Sequence, residues 1–131
     1  MPRVLSFFLV RWACVLAMFP LVAACGAGSS GSAVPSASPG DPLLGQRLIT
    51  QYQCGSCHAI PGVAAARGPL GPSLQAFGKR SYIAGRVPNS ADALAQWLVA
   101  PATLVPDTTM PSMGVSSQEA RHMAAYLGQL E

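Results

Sequence analysis

The sequence predicts an all-α domain of three to five short helices packed around a centre that the chain itself does not supply. Three observations carry this. Apolar residues recur at helical spacing in three capped stretches, at 42–52, 90–99 and 116–131. No segment shows sustained β alternation. The pentapeptide Cys54-Gly55-Ser56-Cys57-His58 sets two thiols and an imidazole within five residues. The foldable part, 43–131, is one small domain, and its protein core is thin for independent stability.

Ahead of that domain the chain reads as a leader and a tether. Arg3 and Arg11 flank the start of a 13-residue apolar run, Trp12–Ala24, which is too short to span a bilayer and fits the apolar region of a signal peptide. The run ends in Val22-Ala23-Ala24-Cys25, similar to the bacterial lipobox, where cleavage falls just before a diacylated cysteine. Residues 1–24 are thus expected to be a lipoprotein signal peptide, with Cys25 the lipid-bearing first residue of the mature chain. The competing reading is ordinary secretory cleavage that leaves a spare thiol. Gly26 follows Cys25 in place of an Asp, so by the same likeness nothing asks for inner-membrane retention. Residues 26–42 are a Gly/Ser/Ala/Pro tract that cannot bury a core. As a random coil it reaches roughly 20–25 Å from the lipid.

The formal charge of +3 includes Arg3 and Arg11. Without them the eight Lys and Arg fall to six, against five Asp and Glu, for a net charge of +1. There is no dense basic stripe, so nucleic-acid binding is not expected. Lys79-Arg80, with Arg86 nearby, is either a docking patch, a set of partners for the acid groups of a bound ligand, or solvated surface.

Within the domain, Asp41 is placed to cap a helix with Pro42 at its first position, and Leu44, Leu48 and Ile49 or Tyr52 share one face. This helix leads straight into Cys54. Ser90–Val99 reads as a second helix, capped by Asn89 or Ser90 and stopped before Pro101, with Leu94, Trp97 and Leu98 facing inwards. Ser116-Ser117-Gln118-Glu119 matches a capping box, and Met123, Tyr126, Leu127 and Leu130 form a stripe behind it.

C-x-x-C-H is the local signature of covalent c-type haem attachment. Thiols three positions apart on one turn can each add across a haem vinyl group, and the next residue brings an imidazole under the iron. Two other uses of C-x-x-C fit less well. Zinc normally takes four nitrogen or sulfur ligands, and outside the motif the mature chain offers only His122 and Cys25. A thioredoxin-like dithiol belongs in a βαβ setting that is absent around Cys54. With Cys14 in the leader and Cys25 lipidated, Cys54 and Cys57 are the thiols left for one haem c, and apo-protein is expected to be largely unfolded.

A haem iron held by His58 takes a second axial ligand or keeps an open site. Met110 sits in the Pro-bounded loop Thr108-Thr109-Met110-Pro111, and its soft, neutral thioether favours reduced iron. Met113, three residues on, is its competitor. Met123 falls on the apolar stripe, where packing is its expected role, and His122 is expected to be a solvated helical residue.

With these elements in place, 43–131 resembles a class I cytochrome c. The resemblance implies a crossing of the first and last helices, at Gly45 and Ile49 against Tyr126 and Leu127. Gly71-Pro72-Ser73-Leu74 matches the family's G-P-x-L, which implies that the Pro72 carbonyl accepts a hydrogen bond from the His58 imidazole. A narrower likeness lies in Ser81-Tyr82-Ile83-Ala84-Gly85-Arg86-Val87-Pro88-Asn89-Ser90, followed by Trp97-Leu98, Pro101 and Thr109-Met110-Pro111. These are similar to the cytochrome c domains fused to subunit II of haem-copper oxidases, where the Met before Pro is the iron ligand, and this implies Met110 over Met113. The reading expected here is of the haem module alone, without the copper domain and membrane helices of such subunits. One residue more stands between Gly45 and Cys54 than in mitochondrial-type chains, so a rotated crossing or an irregular turn is expected before the motif.

The function this implies is that of a lipid-anchored, periplasmic one-electron carrier and not an enzyme. Its partners would be a membrane donor such as a quinol:cytochrome c oxidoreductase and an acceptor such as a haem-copper oxidase or a reductase. Two alternatives stand beside it: a dedicated electron-transfer subunit of a dehydrogenase or reductase complex, and a haem enzyme or gas sensor with an open sixth site.

Overall fold

The computed structural model describes residues 39–131; the leader, Cys25 and most of the tether lie outside the described residues. Four α-helices are found there: α1 (Pro42–Gln51), α2 (Ala91–Val99), α3 (Pro101–Leu104) and α4 (Ser117–Gly128). Two single 3₁₀ turns, Cys54–Ser56 and Phe77–Lys79, and an antiparallel pair of two-residue strands complete the list. These strands, β1 (Tyr82–Ile83) and β2 (Val87–Pro88), pair Tyr82 with Pro88 and Ile83 with Val87.

Helix α1 starts where its chemistry says it should. The Asp41 carboxylate accepts from the amides of Leu43 and Leu44 at 2.9 and 3.2 Å, and Pro42 occupies a first-turn position whose missing N–H costs nothing. The helix stops because Gln53 adopts a left-handed φ of 54°. This is the irregular turn that the extra residue before Cys54 implied. It buries Gly45, Leu48 and Ile49 against α4, whose own buried face is Ala120, Met123, Ala124 and Leu127.

The two helices cross with their backbones in contact. A Cβ on Gly45 would lie 2.0 Å from the His122 carbonyl oxygen, so only glycine fits there. Gly45 therefore meets α4 at His122–Met123, one turn before Tyr126 and Leu127, the pair expected opposite Gly45 and Ile49. His122 is not a solvated residue either: it is half-buried, and its Nδ1 accepts from the Asp41 amide at 2.8 Å. Gly40 lies equally close to the Arg121 carbonyl, so the packed structure takes in Gly40, Asp41 and Pro42.

The remaining helices close the core. Ser90 caps α2 by accepting from the Ala93 amide at 3.2 Å. Leu94, Trp97 and Leu98 turn inward and α2 packs on α4. Pro101 ends α2 and starts α3, a four-residue helix that the periodicity did not reveal. The strand pair was also invisible as alternation, because two residues per strand give no period to read. Every buried side chain in the described core is apolar.

One polar cluster ties the end of α1 to the start of α4. The Glu119 carboxylate accepts from the Ser116 hydroxyl at 2.5 Å, from the Ser116 amide at 3.0 Å, and from the Tyr52 hydroxyl at 3.0 Å. The Ser116 bonds first, then Tyr52, hold Glu119 below the usual carboxylate range, while the bond to Glu119 pushes Tyr52 above the usual phenol value. A lowered carboxyl contributes stability above its unfolded value, about 4.3, that is lost as pH falls through the folded one. A raised phenol contributes below about 10, and that is lost as pH rises. Urea midpoints measured against pH on the holoprotein are expected to show Glu119→Gln flattening the acid limb and Tyr52→Phe the alkaline limb, with Ser116→Ala costing about 1 kcal/mol near neutrality.

Candidate functional site

Cys54, Cys57 and His58 stand at one wall of an apolar cavity of about 460 Å³ that opens into the middle of the domain. The 3₁₀ turn that carries them is held by its own main chain, with the amides of Cys57 and His58 both donating to the Cys54 carbonyl at 3.3 and 3.0 Å. The segment that follows folds back over it. The amides of Gly68, Gly71 and Leu74 donate to the carbonyls of Gly55, Cys57 and Ala59 at 3.0, 2.7 and 2.8 Å.

This return segment brings the Pro72 carbonyl to the imidazole. A carbonyl can only accept, so His58 Nδ1–H donates to Pro72 O at 2.7 Å, and the lone pair is left on Nε2. Gly71 lies flat against the ring: a Cβ there would sit 2.3 Å from His58 Cε1 and 2.6 Å from Nδ1. The ring is therefore fixed in tautomer by one neighbour and in position by the next. Sequence reasoning named Gly71 as part of a motif but missed this steric role.

The deeper walls are core side chains, Ile49, Leu94, Trp97, Leu98 and Leu127. Burial pushes the Cys54 thiol above its usual value, with the neighbouring Cys57 adding to the shift. Thr108, Thr109, Met110 and Pro111 form a further wall, and Met110 packs partly buried against the core. Met113 is 43% exposed and does not line the cavity, and Met123 is fully buried in the core on α4. The cavity thus brings together the five expected positions Cys54, Cys57, His58, Pro72 and Met110; Cys25 lies outside the described residues.

Each of the three basic residues Lys79, Arg80 and Arg86 has its own partner. Arg80 lines the cavity, donates to the carbonyls of Ser73 and Gln75 at 2.5 and 3.2 Å, and lies 5.5 Å from the centroid of the Phe77 ring. It pins the loop after Pro72. Lys79 lies 3.9 Å from Glu131 with both side chains exposed, and Arg86 is paired with Asp107.

The donor set fits a macrocycle and not a bare ion. Among the described residues no three His, Cys, Asp or Glu side chains converge as a metal site would require, so the two sulfurs and the imidazole are spread along a wall. Thiols at one edge, one free imidazole nitrogen, a thioether and an apolar interior define the class: a helical module for a covalently tethered haem. Residues 43–131 match the cytochrome c family model, and the chain belongs to the cytochrome c family, with the class I fold. The chain is 31% identical over 88 residues to "Cytochrome c oxidase subunit 2" of Alkalihalophilus pseudofirmus. That match covers 66% of this chain but 25% of the relative, so the chain spans a quarter of the protein it resembles. Membership implies haem c and electron carriage.

Gly71→Ala forces the imidazole off its seat. It is expected to lower stability by about 1–3 kcal/mol, as overpacking does. It is also expected to shift the resonances of the His58 ring in NMR spectra of the holoprotein, whereas an alanine that left those resonances in place would show that the ring is not held by Gly71.

Proposed function

We propose that this protein is a lipid-anchored monohaem cytochrome c that carries single electrons between a membrane donor and a terminal oxidase or reductase on the periplasmic side of a bacterial membrane. The observation that carries the reading is the bond from His58 Nδ1–H to the Pro72 carbonyl at 2.7 Å, beside two cysteines and across a cavity that also takes in Met110. It is the arrangement that leaves Nε2 as a metal ligand of fixed direction and raised basicity.

Haem c, when bound, supplies an iron that cycles between Fe(II) and Fe(III). The chain does the rest. Cys54 and Cys57 would hold the group as thioethers, and His58 and Met110 would be its axial ligands. A neutral thioether favours the reduced state and so raises the potential. The buried Ile49, Leu94 and Trp97 side chains make the interior walls apolar. Because these side chains are packed into the core, they rearrange little when the charge changes, which suits fast electron transfer and no bond-making chemistry.

Kinship supports the proposed acceptor. The relative's name is that of an oxidase subunit, which favours a haem-copper oxidase as the electron acceptor. A quinol:cytochrome c oxidoreductase is a donor of matching chemistry. Brief encounters are expected, since small redox contacts usually fall at the low end of interface sizes. Among the described residues no helix is long and apolar enough to cross a membrane, and the proposed anchor is the acylated Cys25.

The test is a spectrum of membrane fractions bearing the full chain. Wild-type ferric protein is expected to be low-spin with the weak red band of Met-to-iron ligation. Met110→Ala should remove that band while Met113→Ala keeps it, and Cys25→Ser should move the haem to the soluble fraction. A high-spin ferric spectrum with carbon monoxide binding to the reduced wild type would replace electron carriage by an open-site haem protein.

A further inference from the structure

The loop that presents Met110 is held by side chains and not by its own backbone. Among the described residues, 109–115 make no main-chain hydrogen bond to one another or to any neighbour. Segments of this kind open locally at little cost. Two ties are local to the loop and to α2: Thr108 Oγ1 accepts from the Met110 amide at 3.2 Å, and Ser112 Oγ donates to the Val99 carbonyl at 2.8 Å.

The third tie joins the loop to the β1–β2 pair. Arg86 Nη1 and Nη2 donate to Asp107 Oδ1 and Oδ2 at 2.8 and 3.1 Å, a two-pronged contact between residues 21 positions apart. Arg86 is presented by the tight turn of the β1–β2 pair, where its amide donates to the Ile83 carbonyl at 3.1 Å and Ala84 and Gly85 take left-handed φ values of 49° and 70°. Tyr82, Ile83 and Ala84 of that hairpin line the cavity, and so do Thr108 to Pro111. The fork therefore joins the hairpin wall to the segment that carries Met110.

We propose that the Arg86–Asp107 pair is a latch on the Met110 loop, setting how readily Met110 gives up its place to a ligand from solution. This rests on Met110 as the distal donor. Both side chains are about two-thirds exposed, at 63% and 67%, so the pair adds little to global stability. A local opening of an unbonded loop is a small free energy too, and there the same pair decides. The planar fork of Arg matches a carboxylate in two places at once, which Lys as a point charge does not. Being exposed, the latch is loosened by salt, because the screening length falls from about 10 Å at 0.1 M to about 3 Å at 1 M. Arg86 and Asp107 are positioning residues: neither lines the cavity.

The experiment is imidazole binding to the ferric holoprotein, in which an imidazole nitrogen replaces Met110 Sδ and the red band disappears. At low ionic strength Arg86→Ala and Asp107→Asn are each expected to tighten imidazole binding about two- to fivefold, the range an exposed pair can supply. The double variant should bind no tighter than either single one, and Arg86→Lys should recover part of the wild-type value. At 1 M salt the wild type should join the variants, while thermal midpoints stay close together throughout. Equal imidazole binding at low salt, or a gap indifferent to salt, overturns the latch with Met110 still the ligand. A red band that survives Met110→Ala overturns the ligand reading, and the latch falls with it.

Discussion

A histidine can serve a metal in a fixed direction only when its other nitrogen is engaged, and in this chain the Pro72 carbonyl engages it. The contact at 2.7 Å depends on everything around it. Pro72 reaches His58 because the amides of Gly68, Gly71 and Leu74 lace the return segment onto the motif, and because Gly71 has no side chain to hold the ring away. That lacing depends in turn on anchors farther out. Tyr126 donates to the Pro61 carbonyl and Gln46 to the Gly62 carbonyl, both at 2.6 Å, so the segment after the motif is tied to α4 and α1. The helix crossing at Gly45 is thus part of the site, although it touches no ligand.

The same logic accounts for the economy of the domain. The described core is apolar throughout, and several of its buried side chains, Ile49, Ile83 and Leu94 among them, line a cavity instead of filling it. A haem placed there would complete the core, which is how so small a chain can reach the burial that a domain of its size lacks unaided. Function and stability then draw on one contact surface, and the polar bonds are left to the helix ends and loops.

Much of this was legible in the amino-acid order, and the parts that were not share a cause. Caps and periodicity are local, so Asp41 and Pro42 at α1, Ser90 at α2 and the Ser116–Glu119 box at α4 could be read directly. Cys54 to His58 is local as well. The role of Pro72 and the choice of Met110 over Met113 came through family likeness, and the structure places Met110 on the cavity wall with Met113 outside it. What stayed hidden needs partners distant in sequence. His122 accepting from Asp41, the crossing at His122–Met123 and the Arg86–Asp107 fork leave no trace in spacing, because each is decided by how elements pack. The two-residue strands and four-residue α3 are simply shorter than any period that could announce them.

Cys54 and Cys57 would hold a single haem covalently while His58 ligates its iron, and the most direct measurement of this is a pyridine haemochrome spectrum of the purified full chain together with its intact mass. One haem c per chain that resists acidic acetone extraction, and is lost when Cys54 and Cys57 are both changed to Ser, is the predicted result. Haem that washes out in acidic acetone, a second haem per chain, or bound zinc with no haemochrome would contradict it.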